Sequence, residues 1–417
     1  MTCGERWSRW RQRGPERLAP ALAFVLAAFF LMPSGKALNN SYYVLVLAPA
    51  LLRLRGRDWR WLAGQPLWLA AVGLLGYLTV SGLWSEGMSA GDWWHEAKAL
   101  PYLLVYVAVV ACVVARRPDC WERLLRVVTL AALAGTLVSV MLFYQRHPWT
   151  ARLSYYGPVY NPNEAAMMVG VCLLLVVFHI LPAQRRWQPW ALVALVLLAG
   201  MLLCGSRMPL AAVLASAAVG LVLQRRWRWL ACGAVVLTAV VAGLAASGHG
   251  IDRMLQRGDS YRLAVWQRVA ERIAQRPWIG EGVLTDDGVD VPARPWQKGD
   301  KLIHIEHPHN IFLATALYGG LPALALLLGV LLLAAQAALR LACAGRPAWL
   351  LVLLFSVLCM LTDGARLLNS PQGIWFYFWL PVAALLGYGL RRAPGEPSMR
   401  AGGEAADAWR RPDDRSE

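Results

Sequence analysis

The chain has 417 residues, 58% hydrophobic and only 16% charged, with a mean hydropathy of +0.44. A soluble domain carries about 25% charged residues, so a water-soluble enzyme is excluded and the chain belongs to the membrane class. A formal net charge of +16 raises nucleic acid as a partner. The placement of the positive residues, set out below, removes it.

Apolar runs fall at 18–34, 39–54, 66–84, 97–115, 124–144, 163–182, 189–204, 208–223, 229–248, 310–340, 347–363 and 372–390. At about 20 residues per crossing they predict an all-α polytopic membrane protein with about twelve transmembrane helices. Arg6, Arg9, Arg11, Arg13 and Arg17 precede the first run as in a signal peptide, but no small-residue cleavage site follows. That run is therefore read as an uncleaved anchor. With the N-terminus in the cytoplasm, 26 of the 41 Lys and Arg fall in cytoplasmic loops and tails. The other side holds 15, nine of them in one long loop where the positive-inside bias is weak. Both termini are thus expected inside, and the basicity is mostly topology. Tryptophans beside loop arginines (Trp59, Trp61, Trp187, Trp227, Trp229) suit an interfacial belt in contact with membrane lipids.

The chain divides into helices one to nine within 1–248, an external loop over 249–309, helices ten to twelve within 310–392, and a polar tail from 393 to 417 expected to be disordered. In the loop, "GDSYRLAVWQRVAERIAQRP" predicts an amphipathic helix. Its expected N-cap is Asp259 or Ser260, its apolar positions are Leu263, Val265, Trp266, Val269 and Ile273, and it ends at Arg276-Pro277. "IGEGVLTDDGVDVPARPWQKGDK" reads as irregular coil. The eight cysteines form no CxxC pair and none lies in the loop, so neither a disulfide framework nor a thiolate metal site is expected there.

Four polar groups fall on the same external side in this topology. Arg207 in "CGSRMPL" lies between two apolar runs, where a guanidinium either snorkels to headgroups or clamps an anion. Arg262 is either one more solvated arginine of its helix or, at the first turn, an anion ligand aided by the helix N-terminus. Asn161 and Asn163 in "GPVYNPNEAA" precede the sixth run, with Asn163 also a helix-cap candidate. His307 and His309 in "IEHPHNIFL" precede the tenth.

Zinc helices need histidines at i and i+4, but these stand at i and i+2 around Pro308, which predicts rings pointing in opposite directions. A metal held by His304, Glu306 and His309 along one face of an extended run is an alternative, as is simple capping. The sharper reading makes His309 a neutral general base. Asp286, Asp287 and Asp290 in "TDDGVD" read as turn residues rather than cation ligands, and Arg366 has Asp363 as an available partner, so a structural ion pair competes with a ligand role.

"NPNEAA", "GSRMPL", "SYRLAVWQ", "RPWIGEG" and "HNIFLATALYGGLPAL", in this order, resemble the O-antigen ligase and polymerase superfamily, and most closely its ligases. The resemblance implies a bacterial inner-membrane glycosyltransferase of the GT-C type, with its active site facing the periplasm. It would transfer O-antigen from undecaprenyl pyrophosphate to lipid A–core by a metal-independent, inverting reaction without a cofactor. Carried over, the catalytic histidine falls on His309, followed by Asn310. Arg207 and Arg262 fall on the arginines that bind the diphosphate, and Gly319 or Gly320 meets the downstream glycine. Asn310, Asn161, Asn163 and His307 complete the expected substrate-binding set. Polymerase and protein O-oligosaccharyltransferase share the donor and are alternatives. A polyprenol-linked glycan flippase is disfavoured, because the ionisable residues gather at one surface rather than along a path through the spans.

Overall fold

The computed structural model describes residues 14–246, 261–292, 302–364 and 366–390. The arginines at 6, 9, 11 and 13, the expected caps Asp259 and Ser260, and the tail 393–417 lie outside the described residues.

The apolar runs are helical. In chain order the helices are α1 (Ala19–Leu31), α2 (Gly35–Tyr42), α3 (Ala48–Arg53), α4 (Gly56–Ala63), α5 (Pro66–Ser81), α6 (Ala90–Ala97), α7 (Ala99–Arg116) and α8 (Pro118–Tyr144). There follow α9 (Pro162–Leu175), α10 (Gln188–Cys204), α11 (Arg207–Leu223), α12 (Trp227–Ala246) and α13 (Arg262–Gln275). A two-stranded sheet, β1 (Val289–Pro292) with β2 (Leu302–Ile305), precedes α14 (Ile311–Cys343), α15 (Ala348–Met360) and α16 (Leu380–Gly389). Five helical segments among the described residues are long and apolar enough to cross a membrane: Pro66–Trp84, Ala90–Arg116, Pro118–Tyr144, Pro162–Ala183 and Ile311–Cys343. Four shorter apolar helices, such as Gln188–Cys204, accompany them, where the sequence predicts about twelve crossings. Wide π-helical turns at Tyr43–Leu47, Val176–Ile180 and Trp375–Trp379 interrupt the regular α-helix within three of the runs.

Most hydroxyls inside the bundle are satisfied by their own helices, Ser216 Oγ being buried without a partner among the described residues. Thr79, Thr129, Thr136, Ser139, Thr315 and Ser356 each donate to the carbonyl four residues back, which leaves none of them a bare donor toward an apolar neighbour. The core is correspondingly apolar and aromatic. Tyr42 meets Trp375 with ring centroids 5.1 Å apart, and Phe30 meets Phe376 edge-on at 5.3 Å.

The tenth apolar run is not one straight helix. Gly319 (φ −127°, ψ 16°) and Gly320 (φ 67°, ψ −167°) break α14, and Pro322 follows. The break frees backbone groups in a buried stretch, and the loop after α13 supplies partners. Glu281 and Gly282 N–H donate to the carbonyls of Leu317 and Tyr318, both at 2.8 Å, and Leu321 N–H donates to Pro277 O at 2.7 Å. The glycines of "RPWIGEG" and "LYGGLP" are therefore explained by each other. A Cβ on Gly280 would sit 2.6 Å from Gly320 N, and one on Gly320 would sit 2.6 Å from Pro277 O. The backbone angles of Gly320 lie in a region open essentially to glycine alone. Gly320→Ala is thus expected to destabilise the protein by about 1–3 kcal/mol from backbone strain, before any cost of displacing the loop. A lowered thermal midpoint in detergent checks this, and an unchanged one counts against the docking.

The loop has a small core of its own, made by Val265, Val269, Val289, Val291 and Leu317. As predicted, α13 is amphipathic, with Val265 and Val269 buried, but Leu263 is 65% exposed on its outer side. The segment read as coil instead pairs β1 with β2 antiparallel, with Val289 opposite Ile305 and Asp290 opposite His304. Val289 and Val291 alternate inward with period two, a signal too short to outweigh the surrounding glycines and prolines in the sequence.

Candidate active site

Seven chain segments converge at one end of the bundle: α6, the chain between α8 and α9, the start of α9, the α10–α11 turn, the start of α13, the stretch 307–309, and the chain after α15. Each is set by local chemistry. Asn161 caps α9, accepting from Asn163 N–H at 2.9 Å, with Pro162 at the first helical position. This corrects the expectation that Asn163 is the cap. Proline tolerates the first helical position because its missing N–H has no partner there, which moves the cap back to Asn161. The Asn163 side chain is instead tied to Ser206 Oγ (2.8 Å) and the Arg152 guanidinium (3.0 Å). Gly205, left-handed at φ 59°, ends α10, and α11 begins at Arg207.

The smaller of two cavities, about 340 Å³, is lined by Arg152, Arg207 and Arg262 together with Asn163, Ser206 and Asp363. Three guanidiniums and one carboxylate among its lining residues give it a composition suited to an anion with several oxygens. Arg262 is the first residue of α13, after Tyr261 in the cap position, and its Nε is buried with no hydrogen-bond partner among the described residues. A buried donor without an acceptor is costly, and a bound anion would remove the cost.

The larger cavity, about 580 Å³, includes His307, His309, Asn161, Glu96, Glu164 and Arg366 in its lining, and Asp363 borders both spaces. His309 Nδ1 lies 3.3 Å from Asp363 Oδ1, which also accepts from Gly364 N–H at 2.8 Å. Such a carboxylate fixes the imidazole tautomer and leaves Nε2 for a substrate. Asn310 is the N-cap of α14, its Oδ1 accepting from Phe312 and Leu313 N–H at 3.0 and 3.1 Å. It sits 8% exposed, outside the lining of either cavity. The structure therefore gives Asn310, expected as a substrate ligand, the work of holding the helix start beside His309. Trp266 Nε1 donates to Pro308 O at 3.0 Å and pins α13 to the same stretch.

The expectation that Pro308 turns the two rings apart is corrected. Both line the larger cavity, with centroids 6.5 Å apart and planes at 76°. Side chains alternate only along extended backbone, and His309 has φ 49°, which rotates its ring back to the side of His307. His307 Nδ1 has its own carboxylate, Asp287 Oδ2, at 3.3 Å, and Asp287 also accepts from Tyr318 OH at 2.6 Å. The hydrogen bond to Asp287 raises the His307 pKa above its ordinary value, against burial and Arg366. Burial would push the Asp287 carboxyl up, but His307, Tyr318 and Arg366 together hold it below its ordinary value.

Two further expectations change. Arg366 pairs with Glu96 at 3.3 Å, and the available acid Asp363 faces His309 instead. His304 pairs with Asp290 at 3.0 Å across the β1–β2 pair, so it does not converge with Glu306 and His309. Among the described residues no three His, Cys, Asp or Glu side chains gather as a metal would require. Sequence reasoning missed Asp363 and Asp287 as histidine partners, and also Arg152, Glu96 and Glu164. Asp287 looks like its neighbour Asp286, which does make a turn by accepting from Gly288 N–H at 3.0 Å. No local signal separates the two.

A sequence model of the O-antigen ligase family matches residues 192–328, which takes in Arg207, Arg262, Asp287, His307 and His309. The chain is also 29% identical over 381 residues to an O-antigen ligase of Pseudomonas aeruginosa, covering 87% of this chain and 88% of that protein. The chain is thus similar to the O-antigen ligases. The stretch matched by the ligase family contains both arginines and both histidines singled out above. It stops short of Asp363 and Arg366, which the fold returns to the cavities from beyond α15.

Proposed function

We propose that this membrane protein is an O-antigen ligase. It transfers O-antigen polysaccharide from undecaprenyl pyrophosphate to lipid A–core at the periplasmic face of the bacterial inner membrane. The observation that carries the reading is the placement of the His309–Asp363 pair on the border between the arginine-lined cavity and the wider polar one. The donor diphosphate occupies the arginine-lined side. The acceptor hydroxyl enters from the wider side and gives its proton to His309 Nε2, while Nδ1–H faces Asp363.

The acceptor oxygen then bonds to the anomeric carbon as the bond from that carbon to the diphosphate oxygen breaks. The electron pair leaves with the diphosphate, whose developing charge meets Arg207 and Arg262, while Arg152 helps hold the donor. Attack opposite the leaving group inverts the anomeric centre. Since guanidiniums can supply the charge stabilisation, the reaction is of the metal-independent GT-C kind.

The test gives purified protein an undecaprenyl-pyrophosphate-linked glycan together with lipid A–core. Glycosylated core is expected. A lengthened donor indicates a polymerase, and a glycosylated protein an O-oligosaccharyltransferase. Transfer is also expected to survive EDTA, and loss that Mn²⁺ or Zn²⁺ restores sinks the metal-independent step.

A further inference from the structure

A second histidine–carboxylate pair faces the wider cavity, and the transfer step above does not use it. Asp287 is 3% exposed, a burial that a carboxylate tolerates only when its oxygens are hydrogen-bonded. Its partners come from two directions. His307 stands at the end of the loop, while Tyr318 stands in α14 directly before the Gly319–Gly320 break. The loop that threads the broken helix thus carries the acid, and the helix supplies the phenol that braces it. With Nδ1 engaged by Asp287, Nε2 is the nitrogen His307 can offer a ligand. The 6.5 Å between the two imidazole centroids is on the scale of one sugar ring.

Apart from Arg366, whose guanidinium is paired with Glu96, the remaining lining offers groups suited to a saccharide. Asn161, Asn369 and Gln372 offer amides, Glu96 a carboxylate, and Tyr160 and Tyr377 aromatic rings. Arg152, Arg207 and Arg262 all line the other cavity.

We propose that Asp287 is a positioning residue: it holds His307 so that the imidazole donates a hydrogen bond to a hydroxyl of the acceptor saccharide, neighbouring the hydroxyl that His309 deprotonates. This rests on the ligase reading, because it needs an acceptor in the wider cavity. The groups facing His307 are Asp287 and Glu306, which favour its proton, Arg366, which opposes it, the Tyr318 phenol, and the neighbouring His309 ring. The balance raises the His307 pKa. The protonated imidazole therefore persists at low pH and is lost as pH rises through the folded-state value, and removing Asp287 moves that loss to lower pH.

Steady-state transfer by the full chain, with an undecaprenyl-pyrophosphate glycan and lipid A–core, tests this. Asp287→Asn is expected to raise KM for lipid A–core roughly tenfold, the scale of a lost charge-assisted hydrogen bond, and to leave donor KM within about twofold. Its alkaline decline in kcat/KM for the acceptor should begin at lower pH than in the parent. The double variant Asp287→Asn with His307→Gln should be no worse than His307→Gln alone, since both remove one interaction. If Asp287→Asn does not fold, Tyr318→Phe and His307→Gln carry the test through the same split between acceptor and donor KM. Equal effects on both KM values, or an unchanged acceptor KM, overturn the positioning role. If His309→Ala instead keeps full transfer, or the parent does not glycosylate lipid A–core, it is the ligase reading that fails.

Discussion

His309→Ala is expected to abolish glycan transfer, a loss on the order of 10²–10⁴-fold for removal of a general base, while the protein stays folded and still binds the donor. The fold should tolerate the change because the α14 start is held by Asn310, whose Oδ1 takes the first free N–H groups, and by Trp266 on Pro308 O. Alanine also leaves the arginine-lined cavity intact, since His309 does not line it. One consequence is particular to this geometry. His309 holds a left-handed backbone (φ 49°), so His309→Asn, which tolerates that region, should be at least as stable as the alanine variant and equally inactive. Thermal unfolding alongside transfer assays separates the two quantities. Full transfer by either variant removes His309 as the base.

The second large effect is expected at the arginines. Arg207→Ala and Arg262→Ala should each lower kcat by about 10²–10³-fold, the scale for removing one preorganised donor from a developing negative charge. Arg262 has the more specific geometry, because its Nε is already buried without a partner among the described residues. Replacement by lysine keeps the charge but loses the planar fork, so Arg262→Lys should recover only part of the loss. If lysine restores full activity, the residue acts as a point charge and not as a diphosphate clamp. Arg152, tied to Asn163, Ser206 Oγ and Cys204 O, is expected to weaken donor binding more than the chemical step when replaced. A rise in donor KM with kcat nearly unchanged is the signature.

Much of the molecule was legible in the sequence because the signals concerned are local. An apolar run imposes helix on any chain that must satisfy its backbone without water, so the runs from 18–34 to 372–390 are helical where they are described. How many of them cross the membrane is a different matter, since only five segments among the described residues have spanning length and composition. The amphipathic period of Val265 and Val269 was readable for the same local reason. Arg207 and Arg262 stood out as charges in unusual places, and both line one cavity.

Two of the misread features depend on partners remote in sequence. Asp363 stood near Arg366 as an available partner, but His309, separated from it by 54 residues, faces that acid. Asp287 shares its turn-like surroundings with Asp286, and only Tyr318 and His307 distinguish it. The alternation that set the two histidine rings apart assumed extended backbone, and a single left-handed residue reversed it.

By itself, the sequence determined the membrane class and the helical runs, and it singled out Arg207, Arg262 and His309 as site candidates. Those follow from composition, periodicity and spacing, all of which act over a few turns of chain. Only the tertiary structure decided which carboxylate serves which histidine. It also decided that the long loop is threaded into a broken α14, and that the arginines and histidines face two adjoining cavities. The physical reason is the same in each case. A buried acid, a bare carbonyl or a left-handed backbone is stable only when something distant compensates it, and the chain states the need without naming the partner.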